Sequence, residues 1–129
     1  MLSKKALVAY LVAGDPDLDS SLELMHEFVE SGVDVLEVGV PFTDPIAEGP
    51  IIQAAHDRAL KNNISLEKIL ILIEKFRKRD TDTPVILMGY MNTFMANEHS
   101  LKSIHTRGID AVLIVDIPGE STLEEMGIQ

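Results

Sequence analysis

The sequence predicts an α/β protein whose strands form one parallel sheet. Four continuous apolar runs, rich in Val, Ile and Leu, recur along the chain, at residues 6–13, 33–40, 84–90 and 110–117. Runs without polar alternation are typical of strands that are buried on both faces, as in parallel sheets. Segments with helical spacing separate the runs, and this alternation is the sequence form of consecutive β/α units. We therefore expect adjacent parallel strands in chain order, with the helices on one outer face.

The first unit joins the strand at residues 6–13 to a predicted helix over residues 20–31. Ser20 and Glu23 have the spacing of a capping box, so Ser20 is the expected N-cap. Gly32 comes directly after the last helical residue, where a glycine commonly ends a helix. Apolar residues recur between these limits at helical spacing, which predicts one face packed on the sheet: Leu22, Met25, Phe28 and Val29.

The later units contain three further predicted helices. One covers residues 50–60, directly after a proline-rich loop. The next begins at Ser65, because Ile64 and Ile69 on either side have the spacing of a hydrophobic staple. Basic residues crowd its end, where the helix dipole favours cations: Lys75, Arg77, Lys78 and Arg79. The last helix covers residues 98–106 and leads into the fourth strand.

A weak internal repeat supports this series of units. Gly32 and Gly108 each end a helical segment, and Asp34 and Asp110 each stand two residues after the glycine. The offset is 76 residues, which corresponds to two β/α units. A further helix start is predicted at residues 120–122, with few residues after it. The pattern therefore indicates half of a repeated β/α architecture, in a truncated or incompletely represented polypeptide.

Composition and charge exclude several classes of function. The 129 residues suffice for one domain over residues 1–129 but not for a closed eight-fold β/α barrel, which needs roughly 200 or more. The 21 acidic and 11 basic residues give a formal charge of −10, which disfavours nucleic acid and anionic membranes as partners. There is no cysteine, and no apolar stretch reaches the ~18 residues of a membrane span. We expect a cytoplasmic protein without a metal site.

Polar residues stand where parallel β/α folds bind ligands, at the carboxyl ends of the strands. Glu37 interrupts the second apolar run, and strand alternation places it on the same face as Val35. An apolar environment would raise the pKa of the Glu37 carboxyl and suit it to general acid–base catalysis. The alternative is a buried structural Glu that is satisfied by a backbone N–H or a tyrosine.

The loop after the second run, residues 41–50, is stiffened by three prolines and carries Asp44 and Glu48. Structured loops of this kind often carry function, although solvated acids on a simple connector fit the spacing as well. Of the two acids Glu37 and Glu48, we expect Glu48 to be the more solvated. The histidines beyond this loop are expected at the protein surface: His56, His99 and His105.

Taken together, these segments resemble the α subunit of tryptophan synthase. Residues 36–53, LEVGVPFTDPIAEGPIIQ, are similar to that family's signature almost residue for residue. Three shorter segments, AGDP at 13–16, GYMN at 89–92 and VDIP at 115–118, are similar to the family in the same order. The resemblance extends from about residue 7 to residue 122.

The resemblance implies a TIM barrel, (β/α)8, of which this chain carries about the first four units. It also implies a lyase of tryptophan biosynthesis that cleaves indole-3-glycerol phosphate to indole and glyceraldehyde 3-phosphate. Glu37 matches the catalytic carboxylate that moves the proton at the indole ring carbon. Glu48 matches the second acid, near the indole N–H, where the family usually has Asp. Tyr90 matches a pocket tyrosine near the catalytic carboxylate, and Tyr10 and Asp116 are the other implied substrate-binding residues.

The same resemblance implies a partner. Pro41, Asp44 and Pro45 match the loop that faces the tryptophan synthase β subunit, in an α2β2 complex. The β subunit carries pyridoxal phosphate, so no cofactor is expected in this chain.

Two other interpretations stay open at this point. The family's chain is about twice as long, and its phosphate-binding loops come after the fourth β/α unit. The present chain could therefore be a non-catalytic half-barrel fragment that acts as an association module and pairs with itself. It could also belong to another phosphosugar-binding barrel enzyme with a similar opening.

Overall fold

A computed structural model describes residues 5–117 of the chain. Its four strands are β1 (Val8–Val12), β2 (Val35–Gly39), β3 (Val85–Gly89) and β4 (Ala111–Ile114). They form one sheet in the order β1-β2-β3-β4, and every neighbouring pair is parallel. The predicted adjacent parallel strands in chain order are confirmed, while the helix start predicted at residues 120–122 lies outside the described residues.

The strands are connected by helices of very different length. They are α1 (Leu18–Glu30), α2 (Pro50–Leu60), α3 (Leu66–Arg77), α4 (Met91–Ala96), α5 (Glu98–Leu101) and a 3-10 helix (Ile104–Arg107). Within residues 5–117, none of them combines the length and the apolar character that crossing a membrane would require.

The main core lies between one face of the sheet and the helices α1 and α3. Leu36, Val38 and Leu87 on the strands are fully buried there against Ile73 and Phe76 of α3. Burial of each such side chain contributes about 1.5–3 kcal/mol to folding. This face of the sheet is therefore the outer, helix-covered face, and Glu37 lies on the opposite, inner face because side chains alternate along β2.

Helix α2 departs from the expected arrangement. The bounds predicted for it, residues 50–60, are confirmed, but it packs through Ala55 and Ala59 on Val12 rather than on the main core. Val12 points away from the outer face, because its neighbours Leu11 and Ala13 belong to the main core. The expectation that all helices cover one outer face is therefore wrong for α2, which packs at the carboxyl end of β1.

The start of α1 differs from the expected one. Asp17, not Ser20, is the N-cap, and its side chain accepts a hydrogen bond from Ser20 N at 2.7 Å. A carboxylate satisfies a free helical N–H as well as a hydroxyl does, and it also interacts favourably with the helix dipole. The predicted end is confirmed, since Gly32 comes after the helix with φ +105°. Ser65 is the N-cap of α3, as predicted.

The segment between β3 and β4 was expected to hold one helix over residues 98–106, and this prediction is wrong. Helix α4 begins directly after Tyr90, whose carbonyl accepts a hydrogen bond from Thr93 N. Met91 and Asn92 are therefore helical. Asn97, with φ −123° and ψ 29°, then interrupts the helical path before α5.

The internal repeat has a physical basis in the strand starts. Asp34 Oδ2 accepts a hydrogen bond from Leu7 N at 2.8 Å, and Asp110 Oδ2 accepts one from Val85 N at the same distance. Each aspartate thus ties the start of its own strand to the start of the preceding strand in the sheet. The two copies differ in that Arg77 also binds Asp110 and the carbonyl of Gly108.

We expect Gly108→Ala to destabilise the chain more than Gly32→Ala does. Both glycines have positive φ, which costs a residue with a Cβ about 1–2 kcal/mol. A Cβ at Gly32 meets nothing within 4 Å, whereas one at Gly108 collides with the Arg77 side chain. Displacing Arg77 from its partly buried hydrogen bonds adds about 1–3 kcal/mol. Urea unfolding of both variants measures the difference, and equal losses would contradict the assigned role of Gly108.

We also predict that the isolated 129-residue chain associates with itself. Val8 on β1 and Leu113 on β4 are 49% and 47% exposed, and these two strands form the open edges of the described sheet. Open parallel edges with apolar side chains favour pairing with another chain. Light scattering should find dimers or larger species, and the double variant Val8→Lys and Leu113→Lys should reduce them. A monomer at every concentration would contradict the prediction.

Candidate active site

The candidate site lies on the inner face of the sheet, at the carboxyl ends of the strands. Tyr10 on β1 and Glu37 on β2 are direct partners in the parallel register, so their side chains share this face. Tyr90 comes directly after β3, and residues 40–49 cross above the strands to reach α2. The structure therefore brings four of the predicted residues together: Tyr10, Glu37, Glu48 and Tyr90.

The Glu48 carboxylate is the most highly connected group of the site. Oε1 accepts a hydrogen bond from Tyr10 OH at 2.9 Å, and Oε2 accepts one from Tyr90 OH at 3.3 Å. His56 Nε2 lies 2.8 Å from Oε2, and the Glu48 side chain is only 8% exposed. The expectation that Glu48 is the more solvated of two acids is therefore wrong, because three side chains enclose it.

The loop that carries Glu48 is held at several points. Phe42 N donates to His56 Nδ1 at 3.0 Å, and Ala47 N donates to Tyr90 OH at 3.3 Å. Gln53 of α2 donates from its side chain to the Glu48 carbonyl at 2.7 Å. The rings of Phe42 and Tyr90 stack with their centroids 4.9 Å apart. The loop is therefore a rigid support for Glu48, as the three prolines predicted.

His56 is the residue of the candidate site that the sequence reasoning missed. It was expected at the surface, but it is only 1% exposed. Its position on α2 explains this burial, because His56 lies on the same helical face as Ile52 and Ala59, which pack with β1. That spacing was the signal in the sequence that could have identified His56 as an inward-facing residue.

Glu37 occupies a different environment from Glu48. Among the described residues it has no hydrogen-bond partner, and its neighbours across the strands are Tyr10 and Ile86. Partial burial, and secondarily the charge of Glu48, raise the pKa of the Glu37 carboxyl. The predicted inward orientation and the direction of the pKa shift are thus confirmed, while Tyr90, expected beside Glu37, bonds to Glu48 instead.

Both tyrosines act as hydrogen-bond donors. Burial, together with the nearby Glu48 charge, raises the pKa of Tyr10 and of Tyr90 above the ordinary value. The two hydroxyls therefore stay protonated, and each directs its proton to Glu48. Glu48 is consequently held in place by two hydroxyl donors.

The remaining predicted residues lie around this centre. Asp116, after β4, is exposed, and its Oδ1 accepts a hydrogen bond from Met91 N at 2.7 Å. Asp44 is also exposed, while Pro41 and Pro45 beside it are buried. Within residues 5–117, no group of three or more potential ligand side chains is arranged to hold a metal ion.

A parallel sheet of successive β/α units, with two carboxylates at the carboxyl ends of its strands, is the arrangement found in β/α-barrel proteins. The sequence profile of the family described as "Tryptophan synthase alpha chain" matches residues 2–126. The chain therefore belongs to the tryptophan synthase alpha chain family.

Individual relatives agree with this assignment. The tryptophan synthase alpha chain of Hydrogenovibrio crunogenus is 50% identical over 121 residues, covering 92% of this chain and 44% of the relative. That of Neisseria meningitidis serogroup B is 50% identical over 119 residues, covering 91% of this chain and 46% of the relative. The chain thus spans about half the length of the curated relatives it matches.

Solved structures give the same result for the fold. Tryptophan synthase subunit alpha from Legionella pneumophila superposes with a TM-score of 0.90 at 43% identity, over 97% of this chain and 48% of that one. A chain of a tryptophan synthase complex from Pyrococcus furiosus superposes with a TM-score of 0.85 at 36% identity, over 95% and 51%. The predicted barrel fold, represented by four strands, is confirmed.

The raised pKa of Glu37 predicts a pH-dependent effect of Glu37→Gln on stability. Below the ordinary value of 4.5 the carboxyl is neutral in both the folded and the unfolded chain. As the pH rises above 4.5, the unfolded chain ionises first, and the folded chain then carries a penalty that the variant lacks. The free energy of unfolding of the variant should therefore increase relative to that of the parent as the pH rises.

Urea unfolding at a series of pH values measures this difference. Glu23→Gln, at an exposed position of α1, is the matched control for the loss of a carboxyl. If the parent were instead stabilised relative to Glu37→Gln as the pH rises, the assigned environment of Glu37 would be incorrect.

Proposed function

We propose that this chain contributes the first four β/α units of a lyase that cleaves indole-3-glycerol phosphate to indole and glyceraldehyde 3-phosphate. The observation that carries the proposal is the pair of inward-facing carboxylates in unlike environments. Burial raises the pKa of Glu37, whereas Glu48 is held by two tyrosine hydroxyls and a histidine. Carboxylates whose environments differ in this way can divide the tasks of proton transfer and charge stabilisation.

In this reaction Glu37 is the proton carrier. It donates its proton to the indole ring carbon that bears the glycerol phosphate chain, and the ring nitrogen becomes positively charged. The bond between that ring carbon and the glycerol carbon then breaks, and its electron pair restores the aromatic ring. The hydroxyl on the same glycerol carbon returns a proton to Glu37 and becomes the aldehyde, so the enzyme ends in its starting state.

Glu48 supplies the complementary charge. A carboxylate beside the indole N–H stabilises the positive ring formed in the first step, most effectively when its position is fixed beforehand. Tyr10 and Tyr90 provide that fixation through their hydrogen bonds to Glu48. We assign Tyr10, Tyr90 and Asp116 to the substrate-binding surface, and no metal or cofactor of this chain takes part.

We further propose that the loop containing Pro41, Asp44 and Pro45 faces a tryptophan synthase β subunit that carries pyridoxal phosphate, in an α2β2 complex in the cytoplasm. Asp44 is exposed, and Ile46 beside it is 73% exposed, so the loop presents both charge and apolar surface. The Pyrococcus furiosus structure, described as a tryptophan synthase complex, supports a complex for a relative of this fold.

One observation favours a second candidate function, that of an association module without activity. The inner face is only partly covered within the described residues, as the exposure of Val8 and Leu113 shows. In that case the same face would serve to pair chains rather than to bind substrate. A different phosphosugar-binding barrel enzyme, the third interpretation, is disfavoured by the family match over residues 2–126.

Indole formation tests the proposal directly. We expect a barrel completed by joining this chain to the remaining segment of the Hydrogenovibrio crunogenus relative to release indole from indole-3-glycerol phosphate. Glu37→Gln should lower this rate by at least about 100-fold, because an amide cannot carry the proton and general acid–base catalysis contributes about 10²–10⁴-fold. Near-normal release by Glu37→Gln would contradict the assignment.

Glu48→Asp is the matched variant for the second acid. It keeps the charge and shortens the side chain by one methylene, so we expect it to retain much of the activity. The 129-residue chain measured alone, with and without β subunit, separates the two candidate functions. A completed barrel that folds but releases no indole would favour the association module.

A further inference from the structure

His56 makes two contacts from one buried ring. Its Nδ1 accepts the hydrogen bond from Phe42 N at 3.0 Å, near the start of the loop. A neutral imidazole has one acceptor and one donor nitrogen, so the proton is assigned to Nε2. Nε2 in turn lies 2.8 Å from Glu48 Oε2, near the end of the same loop. A single side chain of α2 thus bridges two points that are six residues apart.

The contact with Glu48 is short but imperfectly directed. The N–H of His56 Nε2 does not point along the line to Oε2, so Nε2 lacks a well-aligned hydrogen-bond partner among the described residues. A fully buried polar nitrogen without such a partner is costly unless the site uses it. A small sideways shift of the Glu48 carboxylate, onto the line of the Nε2 N–H, would complete this hydrogen bond.

Glu48 needs such a contact because its side chain is long. Three rotatable bonds separate its carboxylate from the backbone, and both tyrosines hold the carboxylate from the sheet side only. His56 approaches from α2, on another side of the same group. With all three contacts in place, one rotamer of Glu48 is selected.

We propose that His56 is a positioning residue that fixes the Glu48 carboxylate beside Glu37; this inference rests on the proposed lyase function. His56 does not itself touch the substrate. It acts through Glu48, and its orientation is determined by the backbone amide of Phe42. The positioning matters for the charge that forms during the reaction, so it should affect kcat more than KM.

Two substitutions separate this role from a purely structural one. In His56→Asn the side-chain oxygen can still accept from Phe42 N, but no donor reaches Glu48. In His56→Gln the longer amide can reach Glu48 as a donor, at the expense of the Phe42 contact. In the completed barrel we expect His56→Asn to lower kcat by about 10- to 100-fold with little change in KM, and His56→Gln to lower it much less. His99→Asn, at an exposed position, is the matched control and should retain the parent kcat.

A double-mutant cycle with Glu48→Gln completes the test. This variant removes the charge that His56 positions, so adding His56→Asn to Glu48→Gln should cause little further loss of kcat. The proposal is overturned if His56→Asn keeps the parent kcat while His56→Gln loses it, because His56 would then only hold the loop. It is also overturned if His56→Asn causes equal losses with and without Glu48→Gln.

Circular dichroism and thermal unfolding of each variant exclude a loss that is due to misfolding. If His56→Asn fails to fold, His56→Ala takes its place in the cycle, and the same coupling to Glu48→Gln is expected. If Glu37→Gln abolishes indole release while the cycle is additive, only the inference about His56 fails. If Glu37→Gln is fully active, the proposed function fails first.

Discussion

In a parallel sheet all strands run in one direction, so the chain must return along the outside of the sheet before each new strand begins. This constraint determines the layout of the molecule. The return segments place α1 and α3 on the outer face, where they cover the main core. They also bring every carboxyl end to one edge, so that residues far apart in sequence, such as Tyr10 and Tyr90, meet at Glu48.

Burial of the Glu48 carboxylate then imposes its own requirement. A buried charge is unfavourable unless polar groups satisfy it, and here hydrogen bonds come from β1 and from the end of β3, while His56 of α2 lies 2.8 Å from the carboxylate. Helix α2, which packs across the carboxyl end of β1 instead of joining the outer layer, places His56 in this position. The requirement also explains the different character of Glu37, which receives no such hydrogen bonds in the described residues and whose pKa is raised.

Much of the fold was predictable because it depends on local pattern. The four apolar runs, the limits of α2, the Ser65 cap and the glycine after α1 each derive from a few neighbouring residues. The errors have other causes. The burial of His56 and of Glu48 depends on contacts between segments that only the folded sheet brings together. The early start of α4 was missed because only one residue, Tyr90, separates the end of β3 from the start of the helix.

The most direct test of the division of tasks between Glu37 and Glu48 is a crystal structure of the completed barrel carrying Glu37→Gln, with indole-3-glycerol phosphate bound. Under the proposed function the substitution slows turnover, so the intact substrate should remain in the site. We predict that the indole N–H lies within hydrogen-bond distance of Glu48, and that the ring carbon bearing the glycerol chain faces position 37. An indole ring bound in the opposite orientation, or one that leaves Glu48 without contact, would contradict this division.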